Sequence, residues 1–364
     1  MSSGTGGQIA FLKTNTLFST INSVNRWTNF VSESIEHKLD ELEEGAITGY
    51  RDAPPSHKGL DYSEGDINIE PNPNALGDFF TMFFGTLTSS LVTAAGSTGA
   101  NSGSEAGKAQ VFHEFTPMQS PFSSLTFLPP YNVMIYRDVG SAFFVRGSIA
   151  PKLTLEWEAG QLVKSQISIM GRDSVRIQRT AAIQSLVSSG GRPFVWDMTS
   201  VEVSTDTTTA NLAASTKFER LALNLELPHE GVPFLDGTKK YGEFAPNGFR
   251  RCAIEGTVSF RDQSEYEAFI AYENRRMRIT MLNVNSNMWL GNPASIDAAA
   301  FLGYYGCRLH LPRVKYLSFS NPIQGPNRIT AQFTAKAEYS DTDGFMLLAQ
   351  LNNVVGVGVY STMY

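Results

Sequence analysis

Two carboxylates two residues apart, Glu156 and Glu158, are the pair in this 364-residue sequence whose spacing comes nearest to a reaction. On a strand, residues i and i+2 share a face with their backbones about 6 to 7 Å apart. At that separation one carboxyl could protonate a glycosidic oxygen while the other serves as base or nucleophile. Nothing nearby in the sequence builds a sugar cleft, so a solvated strand face is the plainer expectation. The five histidines, His37, His57, His113, His229 and His310, stand singly. His113, between Phe112 and Phe115, reads as a packed or hydrogen-bonded structural residue rather than a base or ligand. Cys252 and Cys307 belong to no CxxC or Cys/His cluster, which predicts two buried thiols and neither a disulfide nor a zinc site. There is no GxSxG elbow, phosphate-binding loop, HExxH or EF-hand loop. The sequence therefore predicts no enzyme, no catalytic or metal-binding residue and no cofactor.

The element that carries Glu156 and Glu158 is a two-faced β-hairpin over residues 148–171. Leu153, Leu155 and Trp157 alternate with Thr154, Glu156 and Glu158, a turn follows at Ala159, Gly160 and Gln161, and Val163, Ser165, Ile167 and Ile169 alternate with Lys164, Gln166 and Ser168. Because strand side chains alternate between faces, one face packs on a core and the other faces water. The pattern returns in Leu221, Leu223 and Leu225 with Ile254, Val258 and Phe260, set against Glu226, Glu255, Thr257 and Ser259. It returns again over residues 313–339, where Ile329, Ala331, Phe333, Ala335 and Ala337 share a face. The spacing of the three hairpins is too irregular for a solenoid or propeller.

Composition sets the bounds. Charged residues make up 18% and net charge is −6, which excludes wholesale disorder and a protein that grips nucleic acid through a basic surface. The 24 Phe and 13 Tyr suit strands and interfaces. Residues 1–18 lack a long apolar stretch of the secretory type, and no uncharged apolar run reaches the ~20 residues of a spanning helix, so a soluble protein made in the cytoplasm is expected.

Along the chain, Trp27, Phe30, Val31, Ile35, Leu39 and Leu42 recur at three and four, which predicts a helix or an arm that orders on a neighbour. A short strand is expected over 65–70, and a very apolar core helix over 75–85. Residues 86–108, rich in Ser, Gly, Thr and Ala, read as an exposed loop. A helix should start after Asp262 as N-cap and bury Tyr266, Phe269 and Ile270.

The order of these segments resembles a family. Gly49-Tyr50-Arg51 follows an acidic arm; then come the Gly65-Asp66-Ile67 strand, the Leu76-Gly77-Asp78-Phe79-Phe80 helix and the His113-Glu114-Phe115-Thr116-Pro117 strand. The hairpin with its Glu158-Ala159-Gly160-Gln161-Leu162-Val163 turn follows, and the Gly256-Thr257-Val258-Ser259-Phe260 strand leads into an acidic helix. The series is similar to the major tail tube proteins of long-tailed bacteriophages, and more distantly to type VI secretion tube subunits. That resemblance implies a mainly β sandwich or barrel with a flanking helix, whose strands complete an inter-subunit barrel in a hexameric ring. It implies stacking of rings into a hollow tail tube that conducts DNA, in a virion assembled in the host cytoplasm. Partners would be further copies of itself, terminator, distal-tail and tape-measure proteins, and double-stranded DNA passing without specific binding.

The expected organisation is an N-terminal arm over 1–48, a tube domain over 49–340 with inserts at 86–108 and 200–216, and a C-terminal segment over 341–364. Thr154, Glu156, Glu158, Lys164, Gln166, Glu226, Glu255, Thr257 and Ser259 are expected to face the lumen as a net-negative wall. Trp27, Phe30, Val31, Ile35 and Leu39 are expected to touch the next ring, and the arm and residues 86–108 to order only there. Two other readings are a single-ring tail protein, terminator or distal tail, and a carbohydrate-binding host-recognition sandwich. The last would display a cluster of exposed Trp and Tyr.

Overall fold

The computed structural model describes residues 6–14, 27–45, 52, 55–91, 111–118, 128, 130–137, 141–177, 192–204, 212–282, 305–322 and 328–353. In chain order they form β1 (Gln8–Lys13), β2 (Ser32–Glu33), β3 (Glu36–Leu42), β4 (His57–Ile69), helix α1 (Leu76–Phe84), β5 (Gly85–Leu91), β6 (Val111–Pro117), β7 (Tyr131–Tyr136), β8 (Ala142–Glu158), β9 (Lys164–Gly171) and β10 (Asp173–Ile177). There follow β11 (Thr199–Val203), β12 (Ala213–Ser215), β13 (Phe218–Glu226), β14 (His229–Pro233), β15 (Tyr241–Pro246), β16 (Arg251–Ser259), helix α2 (Ser264–Ile270), β17 (Arg275–Leu282), β18 (Gly306–Ser320), β19 (Thr330–Ala337) and β20 (Leu348–Asn353).

The protein is mainly β, and all named strand pairs are antiparallel. Two long strands divide the work. The second half of β8 lies between β9 and β13, and its first half between β7 and β10. Likewise β18 begins between β17 and β20 and ends beside β19. The principal sheet runs β3 and β2, β4, β9, β8, β13, β16, β19, β18. The three hairpins expected from alternation are all present in it, as β8–β9, β13–β16 and β18–β19. Gly160 supplies φ +86° in the β8–β9 turn, a conformation that glycine adopts without steric penalty.

Their apolar faces meet one core. Leu153, Leu155, Trp157, Ile167 and Ile169 share it with Leu223, Ile254 and Phe333, and Phe260 and Phe269 pack against its margin. Helix α1 lies within that core with all nine residues buried, Phe79 edge-on to Phe11 and Phe80 edge-on to Phe115. The helix can enter buried surroundings because the Asn72 side-chain oxygen accepts from the backbone N–H groups of Asn74 and Ala75, both at 2.9 Å, satisfying donors that water cannot reach.

Several expectations give way. Residues 27–42 form no helix: Trp27 and Thr28 make bridges and β2 and β3 pair with β4, which runs from His57 rather than from residue 65. The three-and-four spacing arose because Trp27 and Ile35 are core residues while Leu39 and Leu42 sit on an exposed edge strand. The proposed arm is partly built in, since β1 pairs with β7 and buries Ile9, Ala10 and Leu12. The start of the 86–108 loop is strand β5, paired with β6; residues 92–108 lie outside the described residues. The 200–216 insert contributes β11, paired with β17, and β12; residues 205–211 lie outside the described residues. The C-terminal segment contributes β20, which joins β18 to β6.

Helix α2 is rotated from the expected face: Tyr266 and Phe269 are half-buried, with Phe269 packed against the core, but Ile270 is exposed and the buried residues are Glu265 and Ala268. Glu265 accepts a 2.6 Å hydrogen bond from Tyr316 Oη. Asp262 stands one residue before the N-cap, yet its carboxylate accepts from the Ser264 N–H. With Lys217 donating foremost, then Ser264, its pKa falls to about 2.

Candidate functional site: a polar sheet face

No chemistry-bearing cluster emerges from the groups singled out above. His113 is buried, its ring nitrogens 2.7 Å from Ser89 Oγ and 3.2 Å from Asn353 Oδ1, a structural bridge between β5, β6 and β20. Both cysteines are free and buried; burial pushes the Cys252 thiol up to about 12 and Cys307 up as well, away from reactive thiolate. Among the described residues no group of three His, Cys, Asp or Glu could hold a metal ion, and no helix is long and apolar enough to cross a membrane. Trp196 is exposed in the 3-10 turn Trp196–Met198 before β11, but Trp27 and Trp157 are buried, so the described tryptophans form no exposed platform.

What the strands do position is a continuous polar face. Cross-strand partners share a face of a sheet, and one unbroken row of partners runs Ser32, Asn68, Gln166, Thr154, Asn224, Ala253, Lys336, Lys315. The rows beside it join Ser168, Lys152, Glu226 and Arg251 on one side, and Lys164, Glu156, Ala222 and Glu255 on the other. The next row pairs Glu158 with Arg220 and Arg220 with Thr257. Eight of the nine residues expected on a wet face are thus gathered on one surface at least partly open to water. Ser259 is the correction: it has the right parity but is buried, where its N–H donates to Lys217 O at 2.8 Å as the strand leaves the sheet.

The charge of this face differs from the expected net-negative wall. Across β9, β8, β13 and β16, the carboxylates Glu156, Glu158, Glu226 and Glu255 are matched by four cations, Lys152, Lys164, Arg220 and Arg251. Arg220 contacts Glu156 through Nε at 2.9 Å and Nη2 at 2.5 Å, which raises the guanidinium pKa through that hydrogen bond. The Thr154 hydroxyl donates to Asn224 Oδ1 at 3.1 Å, and Ser168 Oγ donates to Asp66 Oδ1 at 2.6 Å. Lys152, Arg220 and Arg251 escape the sequence reading because each stands just outside the apolar alternation that marks its strand. Across these four strands the face is consequently balanced in charge and carries cross-strand polar contacts, a surface with no strong field towards either sign.

The residues expected at ring contacts separate into two groups. Trp27 and Ile35 are buried in this chain's own core and Phe30 is packed against it, so the first two cannot reach a neighbour. Val31 and Leu39 are 63% and 52% exposed and remain available. The face is flanked at one end by the β14–β15 ribbon, tied to β4 by Asp61 N–H donating to Lys239 O at 2.7 Å and tied to β10 by Lys240 on Asp173.

A family model described as phage tail tube protein matches residues 4–337. A search of curated proteins finds no match.

Proposed function

This chain belongs to the phage tail tube protein family, a structural component of the virion tail, and from that premise we propose that its polar sheet face lines the bore of a hollow tube of stacked hexameric rings through which double-stranded DNA passes. The observation that carries the reading is the face itself. A sheet with one side on a core and the other densely polar, unbroken over seven strands from β4 to β18 and charge-balanced across its four central strands β9, β8, β13 and β16, is what a water-filled channel wall requires.

Double-stranded DNA carries about one negative charge per 1.7 Å of axis, and exposed unpaired cations would hold it through counterion release. Here the Arg220 charge is engaged by Glu156, and Lys152 and Arg251 stand on either side of Glu226. A wall whose charges of both signs alternate and balance neither binds phosphate strongly nor raises a barrier to its entry. The tube would assemble in the host cytoplasm, alongside terminator, distal-tail and tape-measure proteins, with no enzymatic step.

Negative-stain imaging of the purified protein tests this. Rings and filaments of uniform bore are expected. Discrete rings that never stack would point instead to a terminator or distal-tail role, and a protein monomeric at high concentration would overturn the tube reading.

A further inference from the structure

The histidines stand apart from one another, yet the fold brings one of them two partners from distant parts of the chain. His37 on β3 lies between Ser174 on β10 and Asp61 on β4. Its Nδ1 is 3.0 Å from Ser174 Oγ, and its Nε2 is 3.1 Å from Asp61 Oδ1. A hydroxyl, an imidazole and a carboxylate thus meet from three strands in the order nucleophile, base and orienting group. Asp61 Oδ1 is buried and makes no hydrogen bond among the described residues, so His37 stands at ion-pair distance from it with the N–H off the line. Sites of this kind commonly complete that alignment only when a reactant is bound.

The two outer members are held from behind. Lys58 Nζ donates to Asp61 Oδ2 at 2.6 Å, which leaves Oδ1 for His37, and the Asp61 N–H donates to Lys239 O at 2.7 Å. Ser174 follows Asp173, whose buried carboxylate is bound by Arg146 and Lys240, and Arg172, whose Nε donates to Tyr241 O at 2.6 Å. The hydroxyl and the carboxylate therefore sit on anchored backbone with the imidazole between them. Because Asp61 Oδ1 attracts the ring N–H, the proton belongs on Nε2, and the Nδ1 lone pair is left to accept from the Ser174 hydroxyl.

The cluster is also open to solvent. The His37 side chain is 38% exposed and Ser174 is half-buried. A second serine, Ser89, has its hydroxyl 2.7 Å from His113 Nδ1, but that ring is buried and its other nitrogen faces the Asn353 amide. An amide cannot stabilise an imidazolium as a carboxylate does. Along β4, Asp61 and Ser63 alternate with Glu64 and Asp66, so Asp61 and His37 lie on the side of the sheet away from the polar face.

We propose that Ser174 is an activated nucleophile, with His37 as its general base and Asp61 as a positioning residue, and that it takes the acyl group of an activated carboxylic ester. Ser174 Oγ forms a bond to the carbonyl carbon while its proton passes to His37 Nδ1, and Asp61 stabilises the imidazolium. The bond from that carbon to the leaving oxygen then breaks, and His37 gives its proton to the departing oxygen. Ser174 is left as an acyl ester beside a neutral imidazole.

The test treats the full-length protein with p-nitrophenyl acetate, following p-nitrophenol by absorbance and locating the adduct by peptide mass mapping. One acetyl group per chain is expected on Ser174, with Ser89 unmodified. His37→Gln should slow the adduct roughly 100-fold, within the usual contribution of a general base. Asp61→Asn should slow it by a smaller factor, and Asp61→Glu should recover part of that loss, which a purely structural carboxylate would not do. Ser174→Ala should carry no adduct, and each variant should melt as cooperatively as the wild type. Acetyl groups on lysines or other serines with none on Ser174 would overturn the assignment. So would a Ser174 adduct that forms as fast in His37→Gln or in urea-unfolded wild type. The wild-type comparison, folded against unfolded, decides the matter even where a variant fails to fold. A negative result leaves the channel reading intact, since His37 and Asp61 stand on the other side of the sheet.

Discussion

Truncating Trp157 and neutralising Glu156, one residue apart on β8, should have effects that differ several-fold, because the strand puts one in the core and the other on the wet face. Trp157 is 5% exposed and belongs to the main core. Its Nε1 makes no hydrogen bond among the described residues, so Trp157→Ala forfeits packing without stranding a polar partner there. That places the loss towards the lower part of the usual 3 to 5 kcal/mol for a large buried aromatic, about 3 kcal/mol. Glu156→Gln removes the ion pair with Arg220, whose side chain is 56% exposed against 29% for Glu156. A pair that open to solvent contributes about 0.2 to 1 kcal/mol, and the amide keeps a hydrogen-bond acceptor for Arg220, so about 0.5 kcal/mol is expected. With each kcal/mol moving the melting temperature roughly 2 °C in a chain of this size, Trp157→Ala should lower Tm by roughly 6 °C or yield no soluble protein, and Glu156→Gln by about 1 °C. Thermal melts of the two variants side by side decide it. Equal losses would mean that the two faces of the hairpin are assigned the wrong way round.

Other outcomes follow from the same geometry. A Cβ added at Gly256 would lie 2.6 Å from Phe333 Cε1 and 2.8 Å from Arg220 O, so Gly256→Ala should cost about 1 to 3 kcal/mol by overpacking, read from the urea midpoint; an unchanged midpoint would refute that crowding. Burial holds the His310 pKa down to about 4, with Arg308, Arg278 and Arg276 adding repulsion against its hydrogen bond to Gln350. The unfolded imidazole titrates near 6.5, so the folded state takes up fewer protons between those values and stability should fall by roughly 2 to 3 kcal/mol as pH drops from about 6.5 to 4. His310→Gln should flatten this window in urea titrations; a slope that persists would assign it to other groups. Deleting residues 1–31 removes β1 with its buried Ile9, Ala10 and Leu12, so the truncated chain should lose its cooperative melt, whereas a stable truncated monomer would make β1 dispensable.

How far the sequence disclosed this arrangement depended on how local the signal was. The three hairpins were legible because Leu153, Leu155 and Trp157, Leu221, Leu223 and Leu225, and Ala331, Phe333 and Ala335 each repeat at period two against polar neighbours. Helix α1 was legible because its run of Phe residues can be hidden only inside the core. Strands β5, β11 and β20 were not, since their partners β6, β17 and β18 lie elsewhere in the chain and Ser, Thr and Asn give little periodic contrast. Strand β3 reads as a helix in the sequence because an exposed edge strand has no buried face, so Leu39 and Leu42 match a helical spacing by coincidence. The polar face was recovered almost entirely, with only Ser259 lost to burial. Its charge balance was not, because Lys152, Arg220 and Arg251 lie just beyond the apolar alternation that signals a strand.

The central claim, that the polar face of the principal sheet lines a channel, is tested most directly by a cryo-electron microscopy reconstruction of tubes assembled from this protein. The account predicts Thr154, Glu156, Glu158, Lys164, Gln166, Glu226, Glu255 and Thr257 on the bore wall, with Lys152, Arg220 and Arg251 among them and the core face turned outward beneath the other strands. A reconstruction with these residues on the tube exterior, or packed between rings, would contradict it.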